Sequence, residues 1–160
     1  MALQQWFQTN VKYDKTLETG TQARVTEAYL VNAMNFTEAE ARTIEEMAPF
    51  ITGEFEVSAA KKMNISELFY ATVPDASPSG SADRWYRAKI MFITLDEKTG
   101  TEKKTSSVML VQASNFQAAV RNLEAGMKGT MSDWEIHTIQ ETNIMDVFGE
   151  KAENTEQDAE

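Results

Sequence analysis

Residues 85–92 read Trp-Tyr-Arg-Ala-Lys-Ile-Met-Phe, and residues 6–13 read Trp-Phe-Gln-Thr-Asn-Val-Lys-Tyr. Both stretches alternate. Tyr86, Ala88, Ile90 and Phe92 fall on one face, with Trp85, Arg87, Lys89 and Met91 on the other. Phe7, Thr9, Val11 and Tyr13 oppose Trp6, Gln8, Asn10 and Lys12 in the same way. A period of two predicts a strand with one buried face. The spacing between the stretches, 79 residues, marks an internal repeat.

Working outward, the matches continue in order at a period of 79 to 80. Gly20 answers Gly100, and Leu30-Val31 answers Leu110-Val111. Asn35-Phe36 answers Asn115-Phe116. Arg42, Ile44 and Glu45 align with Arg121, Leu123 and Glu124. Phe55-Glu56-Val57 answers Trp134-Glu135-Ile136. Asn64-Ile65 and Phe69 answer Asn143-Ile144 and Phe148. Convergent patterning can repeat apolar positions, but not Asn-Phe, Asn-Ile and Gly in register.

Each copy reads β-β-α-β. Gly20 and Gly100 fit hairpin loops that need positive φ. The second strand ends in a run apolar on both faces, around Leu30-Val31 and Leu110-Val111, which predicts cover on both sides. Thr37 with Glu40 fits a capping box. Ile44, Met47, Ala48 and Ile51 form an apolar helical stripe, ended near Met47 or Ala48 by Pro49. Val120, Leu123 and Met127 form the second stripe, and Gly126 and Gly129 mark its end. Phe55, Val57 and Ala59, or Trp134 and Ile136, alternate as a third strand. The closing motif Asn-Ile-x-acid-x-Phe has no conformation legible from its pattern. The expected fold class is α+β, a tandem duplication of a β-β-α-β unit forming one pseudo-two-fold domain. Its parts are a first repeat at 1–71, a Pro/Ser/Gly linker at 72–83, a second repeat at 84–149 and a disordered acidic tail at 150–160.

Trp-aromatic at the start of each repeat, TEAEAR (Thr37 to Arg42), GEFEV (Gly53 to Val57), FITLDEKTG (Phe92 to Gly100), GMKGTM (Gly126 to Met131) and NIMDVF (Asn143 to Phe148) carry a resemblance. Over roughly residues 5 to 148 the chain resembles a domain-of-unknown-function family of Bacteroides-group bacteria and their phages. The resemblance implies a small cytoplasmic or phage-encoded protein. It implies no activity and no catalytic residues.

Composition narrows function. The chain has 160 residues, 15 Lys+Arg against 25 Asp+Glu, and a net charge of -10. Bulk charge therefore excludes general binding of duplex DNA or anionic membranes. With no Cys there are no disulfides, thiolate zinc sites, iron–sulfur clusters or Cys nucleophile. The N-terminus has no basic region or long apolar run, so neither a signal peptide nor a membrane span is expected. This points to the cytoplasm of a bacterium or of a phage-infected cell.

No nucleophile–base–orienter set can be assembled, and no cofactor or metal is implied. His137, without a second His, reads as a surface residue. Gly126 to Thr130 lacks the phosphate-loop spacing. The expectation is a protein that is not an enzyme; a metal site built from distant carboxylates is the remaining enzymatic alternative.

The suggestive feature is the outward strand face. Trp85, Arg87 and Lys89 share it in one copy, and Trp6 and Lys12 in the other. An aromatic beside cations suits single-stranded nucleic acid, which needs a surface for a base and charge for phosphates. Against this, Trp is highly buried on average, so both Trp residues are expected more often to cover an apolar patch or an interface between repeats. Glu54, Glu56 and Glu135 on that face would repel phosphates. The alternative function is a protein–protein adaptor or inhibitor using the same aromatics as anchors. The tail at 150–160, with five acids and one Lys, is a second candidate for binding a protein partner, although a solubilising extension is the simpler reading.

Overall fold

The computed structural model describes residues 5–71 and 83–149. The expected linker, apart from Asp83, and the expected tail lie outside the described residues. In chain order the elements are β1 (Gln5–Thr16), β2 (Gln22–Ala33), α1 (Phe36–Met47), β3 (Phe55–Met63), β4 (Glu67–Phe69), β5 (Arg84–Leu95), β6 (Glu102–Ala113), α2 (Phe116–Gly126), β7 (Asp133–Glu141) and β8 (Ile144–Phe148). The fold is α+β and mostly sheet. Two four-stranded sheets run β3-β1-β2-β8 and β4-β6-β5-β7.

Two compact units result. The first takes the chain up to Met63 and again from Asp146; the second is Asn64–Met145. One boundary falls just before the motif at Asn64 to Phe69, and the other falls inside the motif at Asn143 to Phe148. Asn-Ile-x-acid-x-Phe proves to be a short strand in both places. β4 joins the sheet of β5 and β6, pairing parallel to β6 with Phe69 opposite Val111. β8 joins the sheet of β1 and β2.

The strand alternation holds. β1 pairs antiparallel to β2 with Phe7 opposite Val31, and β5 pairs to β6 with Tyr86 opposite Val111. Gly20 and Gly100 sit at φ 87° and 69° in the hairpin loops. Residues 28–33 of β2 are all buried, so the end of that strand is covered on both faces as its composition predicts. α1 packs on the face of Phe7, Val11, Tyr29 and Val31. α2 packs on Tyr86, Ala88, Ile90, Met109 and Val111.

Four local expectations are corrected. The N-cap of α1 is Asn35, not Thr37. Its side-chain oxygen accepts the Glu38 N–H at 2.8 Å, and Asn115 accepts from Ala118 at 2.8 Å. Asn is at least as good a cap as Thr and sits two residues earlier. The buried stripe of α1 is accordingly Ala39, Thr43 and Met47, while Ile44 is exposed. The shared cap also sets the helical correspondence at 80 residues, pairing Arg42 with Asn122 and Thr43 with Leu123. Both Arg42 and Asn122 donate to the strand-two carbonyl beneath them, Asn32 O and Gln112 O. Finally, a bulge in β3 shifts its register between Asn10 and Val11, so Ala60 rather than Ala59 continues the buried face.

The second core contains a close approach. Phe69 packs against the cluster of Leu123, Met127 and Val111. A Cβ at Gly126 would lie 2.6 Å from the Phe69 ring. Gly126 is thus required by contact with Phe69, not by its φ. Phe69→Ala should cost about 2–3 kcal/mol of unfolding free energy, less than a fully buried Phe. Gly126→Ala should cost about 1–3 kcal/mol by overpacking. Urea titration of the double variant should show strong non-additivity, because removing the ring removes the clash. Additive losses would contradict this contact.

Candidate nucleic-acid interface

The site expected from sequence lies on the sheet faces opposite the helices. In the second unit, Trp85, Arg87 and Lys89 stand opposite Gln112, Leu110 and Val108 of β6. Arg87 and Lys89 also stand opposite Gln140 and Thr138 of β7. Both cations are half-buried. Neither forms an ion pair or hydrogen bond among the described residues. Glu135, placed by sequence as a repulsive neighbour, is paired to Lys104 at 3.4 Å.

Trp85 does not meet the expectation of an outward stacking surface. It is 1% exposed. Its ring meets Tyr70 edge to face, with centroids 5.5 Å apart at 83°. Tyr70 itself is 49% exposed. Sequence reasoning missed Tyr70 because its placement depends on β4 joining the second sheet, which no local pattern announces.

In the first unit, Trp6 is half-buried, as is Lys12. Trp6 stands opposite Asn32 and Met63, and Lys12 opposite Thr26 and Glu56. Glu56 is drawn to Arg24 at 3.6 Å, and Arg24 also reaches Asp14 at 3.7 Å. The structure therefore gathers Trp6 and Lys12 on one sheet face, and Trp85, Arg87 and Lys89 on another. His137 is exposed at the bulge of β7. Among the described residues, no three His, Asp or Glu side chains gather closely enough to hold a metal ion. No described helix is long and apolar enough to cross a membrane.

The strongest electrostatic perturbation lies elsewhere. Glu27, between β1 and β2, accepts the hydroxyls of Tyr13 at 2.8 Å and Tyr29 at 3.1 Å on one oxygen. Lys15 lies 3.9 Å from its other oxygen. Burial, then the hydrogen bond to Glu27 and its charge, push Tyr13 up to about 12. Burial and the same carboxylate raise Tyr29 further. A phenolate there would face a carboxylate, so the neutral phenols belong to the fold.

The chain matches, over residues 5–151, a family described as Domain of unknown function (DUF4494), and it belongs to that family. No curated protein matches it.

The tyrosine pair gives a pH prediction. Both folded-state values are raised above the unfolded value of about 10. Their contribution is thus complete below pH 10 and is lost as pH rises through the folded values. Unfolding free energy should fall between about pH 10 and 12, with less fall in Tyr13→Phe. Urea midpoints across this range, read by far-UV circular dichroism, provide the measurement. Equal slopes for wild type and variant would refute the assignment.

Proposed function

We propose that this chain is a non-enzymatic binding protein for single-stranded nucleic acid, built from two tandem copies of one unit. The observation that carries the reading is Arg87 and Lys89: two adjacent, half-buried cations without an ionic partner among the described residues, in a chain of net charge -10. A half-buried cation gives up part of its hydration, and an anion on that face would restore favourable electrostatics. A phosphate backbone supplies anions at regular spacing, while Tyr70 on the same unit offers aromatic surface. Trp85 keeps a structural part, holding Tyr70. Its proposed setting is a bacterial cytoplasm or a phage-infected cell, as the resemblance of its motifs implies.

A second reading, a protein–protein adaptor, has its own support. Phe50 is 78% exposed and Met131 99% exposed, each in the loop after a helix. Large apolar side chains left in water are anchors in many interfaces. The tail at 150–160 serves this reading too, as an acidic partner-binding segment.

Salt separates the two. Fluorescence anisotropy with a labelled oligonucleotide should show binding that weakens steeply as salt rises. Arg87→Ala and Lys89→Ala should each reduce the slope of log K against log salt by about 1 if each contacts a phosphate. A chain ending at Gly149 should bind at least as tightly as the full chain, since the removed segment is acidic. An absence of binding at low salt by both chains would eliminate the nucleic-acid reading and leave the adaptor.

A further inference from the structure

A pocket of about 360 Å³ opens in the second unit between β4, β6 and the end of α2. Its walls belong wholly to that unit. Its size falls within the range of small-molecule sites, about 300–1,000 Å³. Phe69, Phe92, Met109 and Met127 supply its apolar surface, on the helix side of the sheet. The Phe69 ring lies against Gly126, the last residue of α2.

The first unit shows what this place lacks. The corresponding residues there are Phe148, Tyr13, Tyr29 and Met47, and they pack together. The Tyr29 ring stacks on Phe148, with centroids 5.6 Å apart at 11°. Both phenols donate to Glu27. In the second unit Met109 stands where Tyr29 presents a ring, and Ser107 stands where Glu27 presents a carboxylate. The loop after the helix differs as well. Phe50 and Thr130 take the same place, each N–H bonded to the carbonyl of Met47 or Met127. The next residue of the first unit, Ile51, packs on the core. The next residue of the second, Met131, is almost fully exposed, although its neighbour Thr130 lines the pocket. One ring and one aliphatic side chain that fill the first unit are missing from the second.

The polar side chains of the wall call for a donor. Ser107 Oγ donates to Ser66 Oγ at 2.9 Å, and Ser66 Oγ donates on to the Val108 carbonyl at 3.1 Å. Both hydroxyl protons are spent, so Ser107 presents lone pairs. Glu67 stands directly opposite Met109. It is exposed and has no ion pair among the described residues. Thr130 can serve as donor or acceptor. Lys128 belongs to the same loop but does not line the pocket. A carboxylate in the wall disfavours anions, nucleotides included, and favours a cation. We propose that this pocket binds a small aromatic amine, whose ring takes the place that the Tyr29 ring holds in the first unit and whose ammonium reaches Glu67 and Ser107. Such a ring gains aromatic contact with Phe69 and Phe92 and sulfur contact with Met109 and Met127. The site lies on the helix side of its sheet and does not rest on the nucleic-acid reading of the opposite face.

The test uses the full chain with methyl-labelled methionine, the Met109 and Met127 signals being assigned from Met109→Leu and Met127→Leu. Three probes are titrated at neutral pH and low salt. Phenethylamine carries ring and charge, phenethyl alcohol keeps the ring without the charge, and butylamine keeps the charge without the ring. Phenethylamine should shift both methyl signals and bind about two- to fivefold more tightly than the alcohol, the worth of one exposed ion pair. Butylamine should leave both signals in place. Glu67→Gln should bring the amine down to the affinity of the alcohol without changing the alcohol's own. Met109→Tyr combined with Ser107→Glu, which installs the filling of the first unit, should abolish binding of both while near-UV circular dichroism keeps its native form. No shift with millimolar phenethylamine, or shifts confined to other methionines, overturns the site. Equal affinity of the wild type for amine and alcohol overturns the ligand class, and so do equal shifts with butylamine. The wild-type titrations and Glu67→Gln, a change at an exposed residue, decide the matter even if the double variant fails to fold. None of these outcomes bears on oligonucleotide binding, so the two readings fail separately.

Discussion

Everything in this fold depends on two phenylalanines that end its shortest strands. Phe69 and Phe148 close Asn-Ile-x-acid-x-Phe motifs, and each completes a core whose helix and hairpin come from the other half of the sequence. A three-stranded sheet under one helix leaves an open flank on its central hairpin. A parallel or edge strand placed there satisfies backbone groups, and its Phe fills the space between sheet and helix. The cost is a constraint on the neighbour. The helix passing Phe69 must carry Gly at 126, its last residue, because a Cβ there would meet the Phe69 ring. Two strands of three and five residues thus bind the chain order together more firmly than their length suggests.

Much of this was legible. Alternation in residues 6–13 and 85–92 located β1 and β5 because half-buried strands must alternate. The repeated Asn-Phe was legible as a signal but misread as to role. It marks the helix cap and first helical residue, and the apparent capping box at Thr37 drew attention two residues too far. The same slip put Ile44 on the buried stripe and aligned Arg42 with Arg121. The hydrogen bonds of Arg42 and Asn122 to equivalent carbonyls show the register that sequence identity obscured. The bulge at Ser58 and His137 left no trace in the pattern, since one extra residue simply reads as lost alternation.

The candidate site was legible only in part. Which residues share a strand face was legible, because strand parity fixes it. Exposure was not, because exposure is decided by residues arriving from elsewhere. Tyr70 covers Trp85 only once β4 has joined the second sheet. Nothing in residues 84–92 encodes that cover, and nothing in residues 5–13 encodes the half-burial of Trp6.

Comparison of the two units separates differences that the fold absorbs from one that it does not. In the first core Thr9 and Thr43 share a buried hydrogen bond of 2.9 Å, and Thr43 also donates to the Ala39 carbonyl. Ala88 and Leu123 occupy the corresponding positions. One polar pair replaces one apolar pair, total volume is nearly kept, and both satisfy their surroundings. Tyr13, Tyr29 and Glu27 correspond to Phe92, Met109 and Ser107, and again the hydroxyls and carboxylate come and go together. Tyr70 and Gly149 do not follow this rule. The ring is lost, the acceptor is shortened from Gln to Asn, and neither loss is made good within the described residues. Packing alone does not favour an indole left half-open beside an unmet buried carbonyl. The ring and the acceptor, Gln112 against Asn32, thus mark a difference between the units that no second substitution among the described residues offsets.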